Sequence, residues 1–450
     1  MSLVSHCTIR VKENTWLTRS KLHSYAEVEG CKDPWGTLRS LLAKARKAAL
    51  RHRGFVHKFL KLKLDSLPPR LEAGSVFTGQ WVGLAAEEEG TLIVEPKYRG
   101  FADIYRLVMQ RLPEAEPLRL AVAGLHIGGP AGIGSAAVAA WLLSRYLSAT
   151  PPYIIEPLRL PGVPVPVSKL VKPNPRLYST AFAAAALLSR TARRIGEEIQ
   201  SLPGEANFLK ALGEAYMMHH EAILATLRAK LQPLAERATL YRVGPDTEIL
   251  YELLLAARTA AHAVGEGGRI LLAPAPKIYE VFVLLSLHEA LVHNGWRLEE
   301  QSLHLRRYVH SREALTARLY YNKPRPLDSR IIRRLSGSPP HPDMLLKIRT
   351  RGNVAAGLAA VLDAKYMKIG RRRALPLADA LRLVGYAADL SANHELRAYI
   401  AAPTVETEER RHAASLDGLG ISVKLLTVNH RVNQLLDAVK ELTEDLAAAV

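Results

Sequence analysis

Two segments, HPDMLLKIRT (341–350) and GLAAVLDAKYMK (357–368), decide how this chain is read. Each is a short apolar run bounded by turn residues, the pattern of a buried strand. Pro342-Asp343 opens the first, and Asp363, Ala364 and Lys365 close the second. Side chains alternate along a strand, so Asp363 and Lys365 project to one side and Ala364 to the other. Paired as a hairpin through a turn around residues 351–353, the two strands bring Asp343 beside Asp363. That places two hard oxygen donors and an ammonium in one pocket, a set suited to Mg²⁺ (or Mn²⁺) and a phosphodiester.

The flanking helical patterns add to the set. KIYEVFVLLSLHEAL (277–291) is apolar around Glu280, and a carboxylate in that setting is costly unless it is paired or metal-bound. PLADALRLVGYAADL (376–390) spaces Asp379, Arg382 and Tyr386 along one helical face, which would pack beside Lys365 with Arg382 as a phosphate clamp. His341, two residues before Asp343, is either a contact to substrate phosphate or a loop histidine with no role. Strands ELRAYIAA (395–402) and GISVKLLTV (420–428) complete the alternation.

Working outward, 450 residues predict two or three domains. With 48% apolar and 23% charged residues the chain folds around a substantial core, which excludes disorder over most of its length. Sixty-one Lys and Arg against 43 Asp and Glu leave +18, and a pI near 9.9 points to a polyanion, nucleic acid before membrane. Two cysteines exclude a disulfide framework and a four-cysteine iron–sulfur cluster, and fit an intracellular, reducing, cytoplasmic address. Few Asn and Gln beside much Ala, Arg and Pro suggest a thermophile. The uncharged stretch 121–144 is rejected as a membrane span because His126, Pro130 and several glycines interrupt it.

The expected organisation is a multidomain α/β protein: a mixed α/β N-terminal region (1–150), a proline-rich connection and helical middle region (151–268), and an α/β core at 269–450. Within the first region, LRSLLAKARKAAL (38–50) reads as an amphipathic helix and KFLKLKL (58–64) alternates as a strand. This basic 39–70 tract is either a solvated surface or a face for DNA or a partner. GGPAGIGS (128–135) resembles a phosphate-cradling turn but lacks the P-loop lysine, and the adjacent His219 and His220 lack metal-pair spacing.

The C-terminal segment resembles the PD-(D/E)xK nucleases with their restriction-endonuclease-like fold, and specifically the McrC family, nuclease subunits of modification-dependent restriction systems. IYEVFVLLSL, HPDMLL, VLDAKY and the helix through LVGYA carry the likeness in family order, with weaker support from TLIVEPKY (91–98) and FADIYRLVMQRL (101–112). The family's glutamine four residues before the helix tyrosine is Arg382 here. The resemblance implies that Asp343, Asp363 and Lys365 are catalytic, that Glu280 is a site acid, that the Ala364 carbonyl and the carboxylates hold metal, and that Tyr386 belongs to a supporting helix. It also implies a DNA substrate, a separate McrB-like AAA+ GTPase and pairing of nuclease domains during cleavage. The rival expectation is a catalytically inactive DNA-binding adaptor that stimulates an AAA+ motor.

Overall fold

The computed structural model describes residues 7–60, 64–111, 127–128, 153–157, 169–173, 269–311, 314–322, 342–350, 357–369, 376–390, 395–405 and 421–448. Two compact units emerge, Met1–Pro96 with Pro113–Pro274, and Lys97–Leu112 with Ala275–Val450. The expected helical middle (177–261), His219, His220 and nearly all of 128–135 lie outside the described residues.

The first unit is built on β1 (Thr8–Lys12), β2 (Ala26–Glu29), α1 (Pro34–Leu60), β3 (Trp81–Glu87), β4 (Gly90–Glu95) and, far along the chain, β5 (Arg269–Pro274). Strand order is β2-β1-β4-β3-β5, with Ile127–Gly128 at the edge, and only β1 with β4 runs parallel. Helix α1 buries Leu38, Leu41, Leu42, Ala45 and Ala49, the three-to-four spacing of one apolar stripe. Lys58–Leu60, expected to start a strand, are instead the end of α1. The Ala, Leu, Arg and Lys of this run all favour helix, and no proline interrupts them. Cys7 and Cys31 are joined in a single disulfide, which ties β1 to the turn after β2. The bridge runs against the reducing surroundings expected from the cysteine count, since such bonds persist mainly where conditions are oxidising.

The second unit contains α2 (Phe101–Arg111), α3 (Ala275–His293), β6 (Trp296–Gln301), β7 (Leu305–His310), β8 (Leu315–Tyr321), β9 (Met344–Thr350), β10 (Gly357–Ala364), α4 (Leu377–Leu390), β11 (Glu395–Ala402), β12 (Ile421–Thr427) and α5 (Leu435–Ala448). Seven of its described strands, β6 to β12, form one sheet in chain order. Strands β6 to β10 form an antiparallel meander; β11 and β12 then add in parallel, with α4 as the crossover from β10 to β11.

Helix α3 is apolar all round, and fourteen of its residues are buried, from Ala275 to Leu291. α2 and α5 pack against it. It ends at Gly295, whose φ of +85° suits glycine. On the sheet, Leu383 and Tyr386 of α4 pack against Leu345, Ala359, Val361, Ala398 and Ile400. Burial of this kind contributes roughly 1.5–3 kcal/mol per large side chain. The alternate set, Met344, Leu346, Ile348, Leu358, Ala360 and Leu362, is buried as well, so the central strands are covered on both faces.

Candidate active site

The register of β9 on β10 sets Met344 opposite Leu362 and Leu345 opposite Val361. One step further, Asp343 faces Asp363, on the face that carries Leu345 and Val361. The backbone holds them there: the Ala364 N–H donates to Asp343 Oδ2 at 2.9 Å, and the Asn322 N–H, at the end of β8, donates to the Asp343 carbonyl at 3.0 Å.

These two carboxyls hydrogen-bond each other. Burial, with the charges of Glu280 and Asp363 behind it, pushes Asp343 well above the usual carboxylate range. Burial also pushes Asp363 upward, but the hydrogen bond from Asp343 and the charges of Lys365 and Arg382 outweigh it and hold the group low. Asp343 therefore keeps the proton and Asp363 the charge.

Asp363 is 2% exposed, and its Oδ2 accepts from two cations. Lys365 Nζ lies 2.8 Å away and Arg382 Nη2 3.2 Å away. Both cations reach Asp379 Oδ1 as well, at 2.9 and 3.0 Å. Burial works against the Lys365 ammonium, yet Asp363 raises its pKa above the ordinary lysine value, so the nitrogen stays charged. Tyr386, one helical turn beyond Arg382, is a packing residue of the adjacent core.

Glu280 sits in a second, adjoining cluster. Lys277 Nζ bonds both of its oxygens at 2.7 Å, and Asn322 Nδ2 donates to Oε1. The Lys277 ammonium also stands 5.7 Å from the centre of the Tyr321 ring. Burial raises the Glu280 pKa and Lys277 offsets part of the rise. Glu280 is thus already engaged on the protein side, and among the described residues no three Asp, Glu, His or Cys side chains converge as a ready metal cage. The donor set that fits a divalent cation is the Asp343–Asp363 pair, two carboxyls brought face to face at the strand ends and largely shielded from solvent.

Of the residues expected from sequence, the structure brings Asp343, Asp363, Lys365 and Arg382 together and sets Glu280 beside them. His341 lies outside the described residues. Lys277 and Asn322 were not anticipated. Asp379 was placed on the correct helix face, without the role it has in joining Lys365 to Arg382.

No curated protein matches the chain. A solved structure similar to it is a refined half-complex, from a tetradecameric assembly, of Thermococcus gammatolerans McrB AAA+ hexamers with bound McrC. It is 12% identical, with a TM-score of 0.41, and the match covers 98% of this chain and 100% of that one. Residues 277–416 match the PD-(D/E)XK nuclease superfamily. The stretch that supplies Glu280, Asp343, Asp363, Lys365 and Arg382 is a nuclease domain of that superfamily.

Proposed function

We propose that this chain is the DNA-cleaving subunit of a McrBC-like modification-dependent restriction system. The observation that carries the reading is the facing of Asp343 and Asp363 across β9 and β10, with Lys365 bonded to Asp363. Asp343, Asp363 and the Ala364 carbonyl would hold Mg²⁺ or Mn²⁺, with Glu280 acting on an outer water. A cation bound there supplies Lewis acidity at the scissile phosphate.

The chain's own residues do the positioning. Lys365, kept as an ammonium by Asp363 and Asp379, orients the attacking water and offsets charge that builds on the phosphate oxygens. Arg382 pairs with the same two carboxylates and so holds Asp363 and Asp379 in place; it is a positioning residue here. Such a core reads phosphates and not bases, so recognition lies elsewhere. The order of motifs, together with the lack of a P-loop in this chain, supports a separate McrB-like AAA+ GTPase as partner. Two copies would be needed for a double-strand cut. Among the described residues no helix is long and apolar enough to cross a membrane, and we assign the protein to the cytoplasm with its DNA substrate.

The test is nicking of supercoiled plasmid with Mg²⁺ or Mn²⁺, with and without the GTPase, by wild type and by Asp363→Asn and Lys365→Ala. Each substitution is expected to lower the rate by about 10²-fold or more. In parallel, Mn²⁺ raises the melting temperature of wild type and not of Asp363→Asn. A wild type that never cuts, or variants that cut as it does, would overturn the reading.

A further inference from the structure

One residue ties Glu280 to the Asp343–Asp363 pair. Asn322 follows β8 at a φ of +46°, in the left-handed region that asparagine adopts more readily than most side chains. From there its N–H donates to the Asp343 carbonyl at 3.0 Å, while its amide nitrogen donates to Glu280 Oε1. Yet Glu280 does not join the pair in a common cage: among the described residues no three acidic, His or Cys side chains converge on a point that could hold an ion.

What faces Glu280 is an ammonium. Lys277 stands three residues earlier, on the first turn of α3, and its Nζ bonds both carboxylate oxygens at 2.7 Å. With Asn322 on Oε1, these bonds use three of the roughly four acceptor positions of a carboxylate, and about one is left for a water. An ion bound to either oxygen would stand beside the ammonium, cation against cation. Mg²⁺ also gives up its waters reluctantly and needs room to keep several. The Glu280 side chain is 10% exposed and that of Lys277 4%, which leaves no such room.

Charge balance leads to the same place. The two clusters contain four carboxyl groups, those of Glu280, Asp343, Asp363 and Asp379, and three cations, Lys277, Lys365 and Arg382. With every group ionised, one divalent ion turns a net single negative charge into a single positive one, and a bound phosphodiester neutralises it. A second ion would leave two positive charges uncompensated in a largely buried site.

We propose that Lys277 is a built-in second cation: it keeps Glu280 out of the inner metal shell, so that the nuclease takes one divalent ion, at Asp343 and Asp363, and not two. The proposal rests on the nuclease reading of that pair. Lys277 touches neither ion nor substrate; it is a positioning residue, acting through Glu280 and Asn322 on the backbone of Asp343.

The experiment counts Mn²⁺ bound per full chain, without DNA, from the loss of the free-ion electron paramagnetic resonance signal. The double variant Asp343→Asn, Asp363→Asn gives the baseline. Wild type is expected to bind one ion above it. Lys277→Met frees Glu280 and is expected to bind two, whereas Lys277→Arg and Glu280→Gln stay at one. Two ions on wild type, or loss of the ion in Glu280→Gln, overturn the proposal, and neither result depends on a Lys277 variant folding. A Lys277→Met chain that melts cooperatively and stays at one overturns it as well. The two readings fail separately. If wild type nicks plasmid and binds two ions, the nuclease stands and the role of Lys277 falls. If wild type binds one ion and Lys277→Met two, but no plasmid is cut, the role of Lys277 stands and the catalytic reading falls.

Discussion

Replacing Lys277 with methionine isolates a buried charge whose cost follows from the structure. The Lys277 side chain is 4% exposed and that of Glu280 10%, and the ammonium bonds both carboxylate oxygens at 2.7 Å. Methionine fills similar volume and removes the charge. Breaking a buried pair by deleting one partner costs about 3–5 kcal/mol, because the other charge is left uncompensated. For a unit of this size each kcal/mol lowers the melting temperature by about 2–4 °C, so a fall of roughly 10 °C is expected. The assay is denaturant unfolding of the full chain, followed by a probe in the C-terminal unit, over the cycle Lys277→Met, Glu280→Gln and both together. The double variant buries no charge and recovers most of the loss. In Lys277→Met the folded-state pKa of Glu280 rises further above its ordinary 4.5. For an acid raised in the folded state, the destabilisation is present above the folded pKa and disappears as pH falls below the unfolded one. The defect must therefore shrink as pH is lowered toward 4.5. A single variant within about 1 kcal/mol of wild type, or a double variant no better than the single, refutes the reasoning.

Two further predictions concern stability. Burial, aided by Arg306, lowers the His288 pKa from 6.5 to about 4. Protonation then favours the unfolded chain, and stability is lost as pH falls from 6.5 toward 4, by about 1–2 kcal/mol after discounting for partial exposure. His288→Gln flattens that limb in a series of melting temperatures against pH, and an unflattened limb refutes the assignment. The Cys7–Cys31 bridge spans 24 residues, and its reduction costs about 3 kcal/mol by loop entropy. Melting of the N-terminal unit with and without reductant reads this directly, and Cys31→Ser should reproduce the reduced curve; coincident curves would show that the bridge is not formed.

What was legible in the sequence was local. Asp343, Asp363 and Lys365 sit at strand ends whose apolar runs and turn boundaries mark them, and a hairpin places them by register alone. Asn322 is a single residue after β8, and nothing nearby in sequence links it to Glu280, 42 residues earlier. Lys277 has the helical spacing to reach Glu280, but a lysine near the start of an apolar helix is ordinarily read as one that snorkels to water. Arg382 was read as reaching for phosphate. Its guanidinium lies between Asp363 and Asp379, because α4 starts beside the end of β10 and brings both acids within 3.2 Å of it. KFLKLKL alternates as a strand does, yet Lys58–Leu60 end α1, because lysine and leucine also suit a helix that is already formed.

Helix α2 lies within the second unit although the chain on either side of it, from Met1 to Pro96 and from Pro113 to Pro274, belongs to the first. Arg111 bonds Glu289 at 2.8 Å and Ser286 at 3.4 Å, the latter 175 residues away in sequence. During synthesis α2 therefore leaves the ribosome long before its packing surface exists, and its buried Phe101, Ile104, Tyr105 and Val108 must wait. The nuclease unit closes only when the late chain returns to collect an early helix. Closing so long a loop before its contacts form slows assembly, and residues from both ends of the chain are needed to complete the unit.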